Sequence, residues 1–153
     1  MPSCTYFCNF TSIQQYSIFV GSILLLEPDT FTSDEWSAAI DASGHSVLTA
    51  SGARDALRLV REGGIDVVVI DLYDARAGVA ELARAMAALP DAPPIVLISG
   101  SPAAPTFSAR IGAASFLPKP CEPSEVVTAV GRLLGRLRPV RIIEDDLPEQ
   151  RLG

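Results

Sequence analysis

Apolar and polar positions along this chain fall into two alternating periods. Five short apolar runs, Ile23 to Leu26, Val47 to Ala50, Val67 to Ile70, Ile95 to Ile98 and Ala114 to Leu117, have the length and composition of buried strands. Between them the apolar residues recur at helical spacing. Trp36, Ala39 and Ile40 share one face, as do Ala53, Ala56, Leu57 and Val60, with Ser51 as their candidate cap. Val79, Leu82, Ala83 and Met86 repeat at three and four, and Val126, Val127, Val130, Leu133, Leu134 and Leu137 form a full stripe. The stretch SPAAPTFSARIG predicts only a short helix, because Pro102 and Pro105 restrict where one can begin.

Strands separated by helices of this length predict βαβ units, and right-handed crossovers wind them into a doubly wound parallel α/β sheet. Ligands of such sheets sit outside the carboxyl ends of the strands. The residues there are chemically distinctive. The first run ends in Glu27 and Asp29, the third in Asp71, the fourth in Ser99, and the fifth in Lys119 followed by Pro120. Converging carboxylates suit Mg²⁺, which is held by one or two acids plus waters and phosphate oxygens. A lysine adds a mobile positive charge for a phosphoryl oxygen.

Composition narrows the choice. A chain of 153 residues, 48% hydrophobic and 20% charged, suits one globular domain. Its net charge of −6, with no long basic run, argues against nucleic acid as the main partner. Cys4, Cys8 and Cys121 form neither an even disulfide framework nor a C-x-x-C metal hook, which points to a reducing cytoplasm. The first 26 residues are uncharged, yet they lack the basic start of a signal peptide. Polar residues also interrupt them too often for the roughly 20 apolar positions of a membrane span. Met1 to Phe19 contains no Ala, Gly, Leu, Val or charged residue, unlike all that follows. Residues 1–21 are therefore expected to be a disordered or non-native leader, with Val20 an alternative start.

Five stretches in order carry a family resemblance: ILLLEPD, GHSVLTASGARDAL, IDVVVIDL, IVLISG and GAASFLPKP. Together they resemble the receiver domains of bacterial two-component response regulators, similar to the chemotaxis regulator. The resemblance covers residues 22–137 and leaves 138–153 as a C-terminal tail. It implies a flavodoxin-like sheet of order 2-1-3-4-5. It further implies that Asp71 accepts a phosphoryl group from a histidine kinase or phosphotransfer protein, in a Mg²⁺-dependent reaction. Lys119 would bind the phosphoryl group, with a cis bond to Pro120. Ser99 and Phe116 would form the switch that signals to a downstream protein target or a homodimer partner. The metal would be held by Glu27, Asp29, Asp71 and the main chain at Tyr73.

Three departures bear on that expectation. Receivers usually end strand one with two adjacent acids, the second contacting the metal, but here Pro28 stands in the second place. Gly78 lies one residue closer to Asp71 than is usual, and the interval from Ser99 to Lys119 is about two residues short. A phosphorylation-independent pseudo-receiver, acting as a protein-interaction module, is thus the alternative. A hydrolase with an aspartyl nucleophile lacks a visible second acid-base group.

Overall fold

Among the described residues ten elements alternate strictly: β1 (Ser22–Leu26), α1 (Thr30–Ala42), β2 (Ser46–Ala50), α2 (Ala53–Glu62), β3 (Val67–Leu72), α3 (Val79–Ala87), β4 (Ile95–Ser99), α4 (Ala104–Ile111), β5 (Ser115–Pro118) and α5 (Pro123–Leu137). They come from a computed structural model that describes residues 20–27, 29–72 and 78–137. Residues 1–19 of the expected leader 1–21, Pro28, the stretch 73–77 with Tyr73, and the tail 138–153 lie outside the described residues.

All five strands are parallel and ordered β2-β1-β3-β4-β5, as the resemblance implied. Alternation along the strands divides the core in two. On one face Ile23, Leu25, Val67, Val69, Val96 and Ile98 pack under α1 and α5, through Trp36, Ile40, Val126, Val130 and Leu134. On the other, Leu24, Leu26, Val68, Ile70 and Leu97 pack under α2, α3 and α4, through Ala56, Val60, Leu82, Met86 and Phe107. Central strands covered on both sides read as unbroken apolar runs, which is why the sequence shows them so plainly.

The strand ends differ from the periodic runs by a residue or two. β1 and β2 each begin one residue earlier, at Ser22 and Ser46, because the parallel ladder begins there: the Ser46 N–H donates to the Gly21 carbonyl at 2.9 Å. β3 runs on to Leu72 and β4 to Ser99, so Asp71 and Ser99 lie within strands rather than just beyond them. The cap of α2 is Gly52, not Ser51, and it caps without a side-chain bond. The short α4 agrees with its prolines, one of which occupies the first turn, and it closes on Gly112 in the left-handed region at φ +69°.

His45 is buried, and its Nδ1 accepts the Gly21 N–H at 3.2 Å, a structural role at the base of the sheet. Gly21 itself is in close contact with α5. A β-carbon there would stand 2.6 Å from a methyl group of Leu134.

Candidate functional site

Strand alternation also sorts the chemically distinctive residues. Counting by twos, Glu27 continues Ile23 and Leu25, Asp71 continues Val67 and Val69, and Lys119 follows Leu117. All three therefore belong to the face beneath α1 and α5. Ser99 follows Ile95 and Leu97, and Phe116 packs against the same second core, so these two belong to the opposite face. The order of strands brings β1 and β3 together, with Leu26 beside Ile70 in register. The next residue on each is an acid.

Glu27 and Asp71 are both deeply buried, at 4% and 2% exposure. Lys119 reaches across the end of β4 and places Nζ 2.7 Å from Asp71 Oδ1. Its own N–H donates to the Ser99 carbonyl at 3.1 Å, which ties the β5 end to β4, and the Lys119–Pro120 bond is cis. Among the described residues, no donor besides Lys119 reaches either Asp71 oxygen, and none reaches Glu27 Oε2. Buried acids this close are costly to ionise together. Burial pushes the Glu27 carboxyl up to about 8, with the Asp71 carboxylate adding to the rise and the Asp29 N–H and Lys119 opposing it.

The second acid of the β1 corner is placed differently. The Asp29 N–H donates to Glu27 Oε1 at 2.7 Å, but its carboxylate accepts the Phe31 N–H at 2.9 Å and caps α1. The structure thus brings together Glu27, Asp71 and Lys119, while the Asp29 carboxylate serves the helix. Among the described residues, no three of His, Cys, Asp and Glu gather as a ligand set. An Asp standing just before a helical run is a familiar start signal, but the same residue also follows the end of β1, so its letter alone leaves both roles open.

On the other face, the buried Ser99 hydroxyl oxygen accepts the Ser101 N–H at 3.2 Å. Its single proton remains available to an acceptor at the strand ends. Phe116 is half-buried against the cluster that includes Phe107. The Ser101 contact was not evident from sequence, since it depends on how the β4–α4 loop turns.

Residues 23–131 match the family model for the response regulator receiver domain. The chain belongs to this family. A curated relative, the DNA-binding transcriptional regulator NtrC of Bradyrhizobium sp. (strain RP501 Parasponia), is 29% identical over 119 residues, 74% of this chain and 24% of that protein. The chain thus spans about a quarter of that relative's length. Two solved structures have the same fold. The chemotaxis response regulator CheY4 of Vibrio cholerae matches with a TM-score of 0.67 at 21% identity, over 75% of this chain and 99% of that one. The signal receiver domain of a signal transduction histidine kinase from Syntrophus aciditrophicus reaches 0.69 at 22% identity, over 84% and 100%.

As a receiver, this domain is a signalling module of two-component systems rather than an enzyme of the usual kind. No helix among its described residues is long and apolar enough to cross a membrane. Cys121, two residues past Lys119, is a packed thiol, pushed up to about 11 by burial with help from Glu125. That places it far from the reactive thiolate range.

Proposed function

We propose that this receiver accepts a phosphoryl group on Asp71 from a histidine kinase or phosphotransfer protein in the cytoplasm, and passes the signal to a protein target or a second copy. The observation that carries this reading is the pairing of a buried Asp71 carboxylate with the ammonium of Lys119 at 2.7 Å. An Asp71 oxygen would attack the phosphorus of a phosphohistidine. The O–P bond forms as the P–N bond breaks, and the electron pair leaves with the imidazole. Lys119 would then turn its charge to the transferred oxygens.

The carboxyl oxygens of Glu27 and Asp71 that no described donor reaches are hard and adjacent, a donor pair that, once Glu27 gives up its proton, suits Mg²⁺ keeping much of its water. Glu27 and Asp71 would hold the ion, joined by the main chain at Tyr73 as the resemblance implies. When bound, it would supply charge neutralisation for the phosphoryl oxygens. Ser99 would donate its hydroxyl proton to the new phosphate, and Phe116 would follow the resulting shift in the β4–α4 loop.

One observation favours the pseudo-receiver. Pro28 offers no side-chain oxygen in the second position, and the nearest further acid, Asp29, is engaged at the helix cap. Incubation with Mg²⁺ and acetyl phosphate or phosphoramidate separates the two readings. A phosphoryl adduct by intact mass that Asp71→Asn abolishes is the expected result; a folded wild type that never labels would establish the pseudo-receiver.

A further inference from the structure

Asp29 sits between two demands. Its carboxylate satisfies one of the N–H groups that a helix start leaves unpaired, and it does so in an exposed position. Its main chain meanwhile is bonded to Glu27 Oε1, so the carboxylate branches from a residue already in contact with the acid pair. Glu27 Oε2 and Asp71 Oδ2, in side chains more than nine-tenths buried, face each other with no main-chain or cationic donor among the described residues. Two buried carboxyl groups side by side form a hard oxygen pair that can take a cation, and an ion held by only two carboxylates draws on any further hard oxygen within reach. Pro28 supplies none, so the next along the chain is Asp29.

We propose that Asp29 is an exchangeable ligand: when a divalent cation binds beside Glu27 and Asp71, its carboxylate leaves the Phe31 N–H and joins the ion. Cation occupancy and the first turn of α1 then compete for one side chain. The proposal rests on the phosphoacceptor reading of the site. The exchange is inexpensive, because an exposed cap of this kind is worth a factor of about five in helix stability. A hydroxyl residue follows at Thr32, able to cap a helix that begins later. The freed turn carries Phe31, which is 78% exposed. Ion binding would therefore loosen the helix turn that carries an exposed apolar residue.

Amide hydrogen exchange at Phe31 during a Mg²⁺ titration of the unphosphorylated chain tests this, with calorimetry reporting the affinity. In the wild type, saturating Mg²⁺ should speed exchange of the Phe31 N–H about fivefold, the worth of the lost cap. Asp29→Ser keeps a capping oxygen but loses the charge. It should bind Mg²⁺ roughly tenfold more weakly, and its Phe31 exchange should no longer respond to the ion. Asp29→Asn, also a good cap, guards against an idiosyncrasy of one variant. If wild-type Phe31 stays protected at saturation, or if both variants bind as tightly as the wild type, the exchange is overturned, and labelling of Asp71 stands or falls on its own. If the wild type binds no Mg²⁺, the Mg²⁺-dependent reading beneath it falls too.

Discussion

Lys119 Nζ lies 2.7 Å from Asp71 Oδ1, although Asp71 lies in β3 and Lys119 follows β5, with β4 between them. The pair is asymmetric. The Asp71 side chain is wholly shielded from solvent, whereas that of Lys119 keeps 24% of its exposure.

That asymmetry sets the outcome of breaking the pair. Lys119→Met strands a buried carboxylate and should lower stability by about 2–4 kcal/mol in urea unfolding at neutral pH. Adding Asp71→Asn to the same protein should recover most of the loss, since the stranded charge is then gone. An unchanged midpoint in Lys119→Met alone would contradict this account of the pair.

Glu27 gives stability a dependence on pH. Its carboxyl titrates near 8 in the folded protein against an ordinary value of 4.5, so the folded state holds the proton more tightly. Its contribution is present in full below the ordinary value and is lost as pH rises towards 8. Glu27→Gln cannot ionise and escapes that loss. Without divalent ions it should match the wild type near pH 4 and exceed it at about pH 8.5 by roughly 2–4 kcal/mol. Thermal unfolding at the two pH values measures the difference, and parallel profiles for the two proteins would count against it.

Two leucines in strands make a paired comparison. Leu97 is fully buried in the central strand β4, and Leu48 on the edge strand β2 is 45% exposed. Leu97→Ala should cost about 2–5 kcal/mol through lost transfer energy and a residual cavity. Leu48→Thr should stay within about 0.5 kcal/mol, as surface changes do. Chemical denaturation of both variants checks the ranking.

Gly112 closes α4 at φ +69°, with open space where a β-carbon would go. Gly112→Ala should therefore lose only the backbone strain, roughly 1 kcal/mol, and Gly112→Asn less, because Asn tolerates the left-handed region. A few degrees of melting temperature separate these variants. A loss several times larger would mean that the side chain meets something there.

The architecture was readable because each strand is buried on both faces. Runs such as Val67 to Ile70 need no partner to be recognised, and the prolines around α4 announced its brevity. The acids were less legible. Glu27 and Asp71 both appear as polar residues closing apolar runs, but their burial and the upward shift at Glu27 arise only when β1 and β3 lie side by side. Asp29 shows the limit most clearly. An acid before a helix and an acid at a strand end carry the same letter, and local hydrogen bonding at α1 decides which role is taken. Ser51 failed as a cap for a related reason: Gly52, with no side chain to offer, already has the extended backbone that starts α2.

The alignment of β1 on β3, Leu26 beside Ile70, has a consequence for inheritance of the site. Side chains alternate strictly along a strand, so a shift of β1 by a single step would carry Glu27 to the opposite side of the sheet. The acid pair is thus encoded as much in spacing as in residue identity. An insertion or deletion in β1 can dissolve it while leaving both carboxylates in the sequence.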